Sequence, residues 1–244
     1  MAGPAIGMVV ALVSAAIALP TPNVGFDYQL GGVATPSPEV RLVVRDRTAK
    51  PAKGRYNVCY VNGFQTQPGA RRWWRKHHFG LVLKRHGKPV VDAGWGEWLL
   101  NTRKPRRLVK VVGPWIDRCA RDGFDAVEFD NLDSWSRSRQ LLKPKHNKAY
   151  AKLLTKRAHK AGLAVGQKNW AGLKGTGLGF DFAVAEECGR YSECGRYVKE
   201  YGDRVYVIEY RRKDFDKTCE HWGDRLSVIL RDRDLSPDGV HRAC

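Results

Sequence analysis

Short apolar runs alternate with longer amphipathic or basic stretches from residue 25 to the end of the chain. The runs are rich in Val, Ile, Phe and Tyr, and they lack the strict apolar–polar alternation of a sheet with one wet face. This pattern favours parallel strands that are covered on both faces. Nine segments are predicted as strands: residues 25–30, 40–45, 56–61, 89–93, 125–130, 163–168, 180–185, 204–210 and 226–230.

Helices are predicted between several of these strands. The clearest covers residues 147–160, with apolar side chains at helical spacing and Gly162 as a stop. A second is predicted over residues 114–121, with Pro114 in its first turn. Repeated strand–helix units predict an α/β fold, and a single-domain (β/α)8 TIM barrel fits best. Nine strands are predicted and the barrel has eight. We therefore expect the first or last segment to be a peripheral extra strand.

The beginning of the chain differs from the rest. Residues 1–18 carry no charged side chain, and Ala16, Ile17 and Ala18 form a small-residue cleavage site. Residues 1–18 are therefore predicted to be a signal peptide, and residues 19–244 are predicted to form the folded domain. The alternatives are a retained membrane anchor or a misplaced start of the chain. A secreted, extracellular monomer without stable membrane insertion after cleavage is expected.

Six cysteines fit an exported protein with disulfide bonds, and an even number leaves none over. Cys188 and Cys194 are close enough in sequence for a local loop. Cys219 with Cys244 and Cys59 with Cys119 are further candidate pairs, although the sequence does not fix the connectivity. No ligand spacing typical of a zinc site is present, so no metal is expected.

Net charge gives a first indication of partners. The chain has 43 Lys and Arg against 25 Asp and Glu, a net charge of +18. Such a chain attracts nucleic acid, anionic wall polymers or membrane headgroups. The run GARRWWRKHHFG at residues 69–80, together with KPRR at 104–107, is the best local candidate for binding a polyanion. The alternative is a solvated helix face whose tryptophans pack inward.

Polar side chains end nearly every predicted strand, at the face where barrel enzymes place their chemistry. A single residue of this kind is more often structural, but their coincidence favours a functional site. Glu128 and Asp130 share one face of their strand, and Glu128 is expected to lie one layer deeper, where it could pair with Lys168. Glu186 and Glu187 point in opposite directions, so one of them is expected to reach the pocket.

Two carboxylates that face each other across a cleft are the equipment for glycoside hydrolysis. Trp95, Trp98, Trp135 and Trp170 follow predicted strand ends, where indoles commonly stack on sugar faces. Covering the barrel rim is the equally weighted alternative for these tryptophans.

Six ordered motifs resemble glycoside hydrolase family 114, the endo-alpha-1,4-polygalactosaminidases, in its secreted bacterial form. They are FDYQLGG, VCYVNGFQTQPG, DGFDAVEFDNLDS, GQKN, GFDFAVAEEC and VIEY, which together span residues 26–210. The resemblance implies a (β/α)8 barrel that cleaves alpha-1,4-linked galactosamine polymers with one Asp and one Glu, without a metal or organic cofactor.

Carried over by motif, the resemblance implies Asp130 as nucleophile or charge stabiliser and Glu186 as general acid/base, with roles that are exchangeable. The predicted substrate-binding or supporting residues are Asp27, Tyr60, Glu128, Asp133, Lys168, Asn169, Glu187 and Glu209. The alternative function is a catalytically weak barrel that binds anionic cell-wall polymer or nucleic acid through its basic surface.

Overall fold

A computed structural model describes residues 16–244. Most of the predicted signal peptide lies outside these residues. The strands are β1 (Gly25–Gln29), β2 (Val40–Asp46), β3 (Tyr56–Asn62), β4 (Lys84–Arg85), β5 (Lys88–Pro89), β6 (Ala126–Asp130), β7 (Ala164–Lys168), β8 (Phe182–Glu186), β9 (Val205–Glu209), β10 (Ser227–Arg231) and β11 (His241–Ala243).

Eight of these strands form the parallel sheet of a nearly closed barrel. Their order is β1-β2-β3-β6-β7-β8-β9-β10, and β11 adds antiparallel to the edge of β10. The barrel strands are buried along almost their whole length, which explains their continuous apolar runs. The predicted TIM-barrel class is therefore confirmed.

Side chains complete the seam between β1 and β10. The Val24 amide donates to Ser227 Oγ at 2.9 Å, and Arg231 Nη1 donates to the Tyr28 carbonyl at 2.7 Å. His241 Nε2, from β11, lies 2.9 Å from the Phe26 carbonyl oxygen. These contacts satisfy backbone groups that a sheet edge would otherwise leave unpaired.

One predicted strand and one expectation about the barrel were wrong. Residues 89–93 do not form a barrel strand: β4 and β5 make a small antiparallel hairpin, and Val91 makes only an isolated bridge to Trp98. Val90 packs instead with Leu83 and Leu99 in a separate small cluster. The surplus segment is thus a loop between β3 and β6 and neither the first nor the last strand.

Within residues 16–244, five α-helices surround the sheet: α1 (Arg71–His78), α2 (Pro105–Arg121), α3 (Pro144–Lys160), α4 (Cys194–Tyr201) and α5 (Arg212–Trp222). The predicted start of α2 was wrong. Pro105 takes the first-turn position, where a missing N–H costs nothing, and Pro114 lies inside the helix. Burial of Leu108, Val112 and Ile116 at helical spacing keeps α2 continuous through that proline.

Three disulfide bonds tie the outer layer together: Cys59–Cys119, Cys188–Cys194 and Cys219–Cys244. The first joins β3 to α2, and the last fixes the end of the chain, next to β11, to α5. These are the three candidate pairs. Within residues 16–244, no helix combines the length and the apolar character that a bilayer span requires.

Candidate active site

An open cleft lies at the C-terminal ends of the barrel strands. Its volume is about 410 Å³. Six acids, three cations and three aromatic side chains line it, together with smaller groups: Asp92, Glu97, Asp130, Asp133, Glu186, Asp234; Arg137, Lys168, Arg233; Tyr60, Trp95, Tyr210; Leu30, Gly31, Asn131, Asn169 and Leu235. The cleft is thus rich in carboxylates within a strongly basic chain.

Asp130 ends β6 and presents its carboxylate to the cleft. Its Oδ2 accepts a hydrogen bond from the Tyr60 hydroxyl at 2.8 Å, and its Oδ1 accepts one from the Asn131 amide at 2.7 Å. Asn131 adopts the left-handed conformation, with φ of 63°, so the chain turns sharply after the strand. Burial and the neighbouring Asp130 raise the pKa of Tyr60, so that its hydroxyl remains a donor.

Glu186 ends β8 and is held by three donors. Tyr210 donates its hydroxyl proton to Oε1, Asn169 Nδ2 donates to Oε2 at 3.0 Å, and Lys168 Nζ lies 3.3 Å from the same oxygen. Burial alone would raise the pKa of Glu186. The positive charge of Lys168 and the hydrogen bonds outweigh burial, so the pKa of Glu186 is lowered and the free cleft contains its carboxylate form.

Below these two carboxylates, Lys168, Tyr28 and Glu128 form a buried chain. Lys168 Nζ donates to the Tyr28 hydroxyl at 2.8 Å, and that hydroxyl donates to Glu128. The predicted pairing of Glu128 with Lys168 is therefore made through Tyr28. Burial lowers the pKa of Lys168, but Asp130, Glu186 and Glu128 together raise it above its ordinary value, so the ammonium group stays charged.

Glu97 lines the cleft next to Asn62, the last residue of β3. It is 7% exposed, and its Oε2 accepts a hydrogen bond from Asn62 Nδ2 at 2.9 Å. Burial raises the pKa of Glu97 to about 7; the Asn62 hydrogen bond opposes this shift, and Asp130 and Asp92 add to it. Glu97 is therefore a cleft carboxyl that can hold a proton near neutral pH.

Arg137 joins the acids on this side. Its Nε lies 2.6 Å from Asp92, and its Nη1 lies 2.9 Å from Asp133. Gln65 Nε2 also donates to Asp92, at 3.0 Å. The Asp92 and Asp133 carboxylates are thus positioned by side chains from separate loops.

The structure brings six of the predicted residues to the cleft: Tyr60, Asp130, Asp133, Lys168, Asn169 and Glu186. Glu128 lies directly beneath it, fully buried, and its pKa is raised to about 7, chiefly by burial. Glu128 therefore supports the carboxylates above it and is too deeply buried to contact a sugar.

Three of the predicted substrate-binding or supporting residues, Asp27, Glu187 and Glu209, do not line the cleft. Asp27 forms a buried ion pair with Arg231 at the barrel seam. Glu187 turns away in a left-handed conformation and pairs with Arg190 and Arg233. Glu209 is fully buried on the outer face of β9, where it accepts the Gly189 amide at 2.7 Å.

Among the four candidate tryptophans, Trp95 is the one that lines the cleft, and it is 69% exposed. Trp98 is buried in the core between sheet and helices. Trp135 and Trp170 pack against each other, with ring centroids 5.8 Å apart. Trp135 and Trp170 thus pack against each other, and Trp95 is the candidate tryptophan whose indole is exposed in the cleft.

The sequence interpretation missed Glu97, Arg137, Tyr210 and Arg233. A usable signal existed for Tyr210: Tyr206 and Ile208 are buried inside the barrel, and strand alternation puts residue 210 on their face. Glu97 and Arg137 lie in irregular loops, where no periodicity marks them. Within residues 16–244, no group of three or more His, Cys, Asp or Glu side chains is arranged to hold a metal ion.

Comparison with solved structures shows the same fold in two other proteins. Aspergillus fumigatus Ega3, solved in complex with galactosamine, matches with a TM-score of 0.80 and 18% identity, over 95% of this chain and 100% of that chain. The glycoside hydrolase domain of PelA from Pseudomonas aeruginosa matches with a TM-score of 0.62 and 14% identity, over 90% and 98%.

A search among curated proteins finds no match. The model of glycoside-hydrolase family GH114, by contrast, matches residues 9–244, nearly the whole chain. This match agrees with the motif resemblance. It also agrees with a cleft that receives the Asp130 carboxylate from the end of β6 and the Glu186 carboxylate from the end of β8. The chain therefore belongs to glycoside-hydrolase family GH114.

Proposed function

We propose that this protein is a secreted glycosidase that cleaves alpha-1,4-linked galactosamine-type polysaccharide by a two-carboxylate mechanism. One observation carries the proposal: Asp130 and Glu186, from the ends of β6 and β8, present their carboxylates to one cleft on either side of the Lys168 ammonium group. Such a pair can stabilise or attack an anomeric carbon and protonate the leaving oxygen.

The charge of the cleft suits an amino sugar. The lining carboxylates outnumber the lining cations, and both Arg137 and Lys168 are already paired with acids. The excess of lining acids over lining cations thus leaves negative charge for a protonated 2-amino group. The local field of the cleft opposes the repulsion that a chain of net charge +18 exerts on a cationic polymer.

Asp130 fits the role of nucleophile or charge stabiliser. Both of its oxygens accept hydrogen bonds, which orient the carboxylate at the rim. Negative charge held there stabilises an oxocarbenium-like transition state.

Glu186 fits the acid/base role as a base, because its lowered pKa keeps it ionised in the free cleft. Because Glu186 is ionised, the proton for the leaving oxygen must come from another group. Glu97, with its pKa of about 7, is a second carboxyl from which the first proton could come.

The test is hydrolysis of galactosamine oligosaccharides, acetylated and deacetylated, beside a panel of other glycans. Asp130→Asn and Glu186→Gln should each lower kcat by roughly 10²–10⁴-fold. Glu220→Gln is the control, since it changes an exposed glutamate of α5 that lies outside the cleft. Wild-type cleavage of no galactosamine glycan, or full activity of either cleft variant, would refute the proposal.

Secretion is tested separately. The three disulfide bonds are typical of proteins that fold in an oxidising compartment. N-terminal sequencing of the mature protein should find a chain that starts after Ala18. A mature chain that retains residues 1–18 would indicate an anchored protein instead.

A further inference from the structure

The positive charge of this protein is concentrated in one part of the chain. Sixteen Lys and Arg residues lie between positions 47 and 116, against two acids, Asp92 and Glu97, and both acids line the cleft. In residues 16–244, none of these sixteen cations takes part in an ion pair. Their charge is therefore available to a partner.

This part of the chain also encloses a second cavity, with a volume of about 360 Å³. Its lining includes Arg47, Gln65, Gln67, Trp73 and Trp115. The guanidinium carbon of Arg47 lies 4.3 Å from the ring centroid of Trp115, so the indole packs against the cation.

Gln65 links the second cavity to the cleft. Its Nε2 donates to Asp92 at 3.0 Å and to Asn131 at 3.1 Å, both in the cleft lining. Its Oε1 is buried and has no hydrogen-bond partner among the described residues. A buried acceptor without a partner is costly, and a ligand hydroxyl in the cavity could satisfy it.

These groups match an acidic sugar. A guanidinium group binds a carboxylate through paired hydrogen bonds, and an amide oxygen accepts from a hydroxyl. A nucleic-acid base fits less well, because Arg47 already covers Trp115. Trp73, at 39% exposure, already makes edge contacts with Trp74 and His78.

We propose that the second cavity binds a uronate residue of an acidic polysaccharide, and that the exposed Arg72 and Lys76 on α1 attract neighbouring carboxylates of the same polymer. The cleft and the second cavity then have opposite preferences: the acid-rich cleft takes a cationic chain, and the cation-rich cavity holds the enzyme on an anionic matrix. This inference stands independently of the proposed hydrolysis.

The experiment titrates the full-length, oxidised protein with a decamer of galacturonic acid and follows heat and tryptophan fluorescence. Arg47→Gln should weaken binding by about tenfold or more, since it removes a charged hydrogen-bond donor. Arg47→Lys, which keeps the charge but loses the paired donors, should recover part of the affinity.

Arg72→Gln/Lys76→Gln provides a second variant at exposed positions of α1, where folding is not at risk. It should weaken binding roughly threefold to tenfold. The matched control is Lys152→Gln/Lys156→Gln, which removes the same charge at the same spacing from the exposed face of α3, and it should change binding less than about twofold.

Three results would overturn the proposal. The first is no binding of the decamer by wild type at low salt. The second is an equal loss in the α1 and α3 variants, which would indicate general attraction of a polyanion. The third is single-stranded DNA of ten nucleotides binding as tightly as the decamer. Thermal unfolding and hydrolysis by each variant show whether it is folded.

Discussion

Lys168 Nζ lies 3.3 Å from Oε2 of Glu186, and this ammonium group is the buried positive charge around which the carboxylates of the cleft gather. Lys168 is 2% exposed and also donates to Tyr28, which holds Glu128 below. One cation thus fixes the charge state of Glu186 and connects it with the floor of the cleft.

Replacing Lys168 with Met should raise the pKa of Glu186, because the largest influence that lowers this pKa is removed. The acid limb of the pH–rate profile should move upward by roughly one unit or more, and kcat should fall. Lys168→Arg, which retains the charge, should keep the limb close to its wild-type position.

Loss of stability alone would not move that limb, so the pH profile separates an electrostatic role from a structural one. Lys174→Met, at an exposed position, serves as the control. An unshifted limb in active Lys168→Met protein would contradict the assignment of Lys168.

Glu97 offers a second test through its pKa of about 7. If Glu97 supplies a proton, the wild-type rate should decline as the pH rises through about 7, because the carboxyl group is then deprotonated. Glu97→Gln should lower kcat and remove this alkaline limb. Glu220→Gln, at an exposed position of α5, should retain the wild-type kcat and the alkaline limb. An alkaline limb that persists in Glu97→Gln would assign it to another group.

The positions of Asp130 and Glu186 could be predicted because each is the last residue of a buried strand. In a parallel barrel, the ends of all strands meet at one face, so a carboxylate there is placed by topology alone. Most barrel strands could be recognised as apolar runs, because both faces of the sheet are covered.

Glu97 could not be predicted in this way. It reaches the cleft through a tight turn in which the Asp92 amide donates to the Glu97 carbonyl at 2.8 Å and the Gly96 amide donates to the Asp92 carbonyl at 2.8 Å. Gly96 has φ of +67°, which an ordinary side chain disfavours. Residues 89–93 resemble a strand in sequence, yet they lead into this turn across the barrel mouth.

Glu187 and Glu209 lie outside the cleft for the same reason, the direction in which each side chain leaves the backbone. Glu209 ends β9, as a catalytic residue would, but Ile208 faces the barrel interior and Glu209 therefore faces outward. Glu187 follows Glu186 directly and leaves in the opposite direction. A strand-end position identifies the correct edge of the sheet, and the alternation of side chains decides which residue enters the cleft.

Trp95 should contribute to polymer binding and little to stability. Because it is 69% exposed at the cleft, Trp95→Ala should raise KM by roughly threefold to thirtyfold, the loss of one stacking contact, with kcat less affected. Tyr191→Ala removes an aromatic ring of 58% exposure outside the cleft and is the control. Equal KM values for Trp95→Ala and wild type would exclude stacking on this indole.

Glu209 should make the protein less stable as the pH rises. Burial raises its pKa to about 7, its Oε2 has no partner among the described residues, and the Gly189 amide opposes the shift only in part. In the unfolded chain this carboxyl group titrates near its ordinary pKa of 4.5. The folded state therefore binds more protons between these values, and its stability decreases as the pH rises through that window.

Glu209→Gln removes this titration while its amide oxygen can still accept from Gly189. At pH 8 it should increase the free energy of unfolding by on the order of 2 kcal/mol, because a neutral amide replaces a buried carboxylate. At pH 4.5 the gain should vanish, since Glu209 is protonated in the folded wild type. Denaturant unfolding at both pH values measures this difference, with Glu220→Gln at an exposed position of α5 as the control. Parallel pH–stability curves for Glu209→Gln and wild type would show that Glu209 is not the group that titrates.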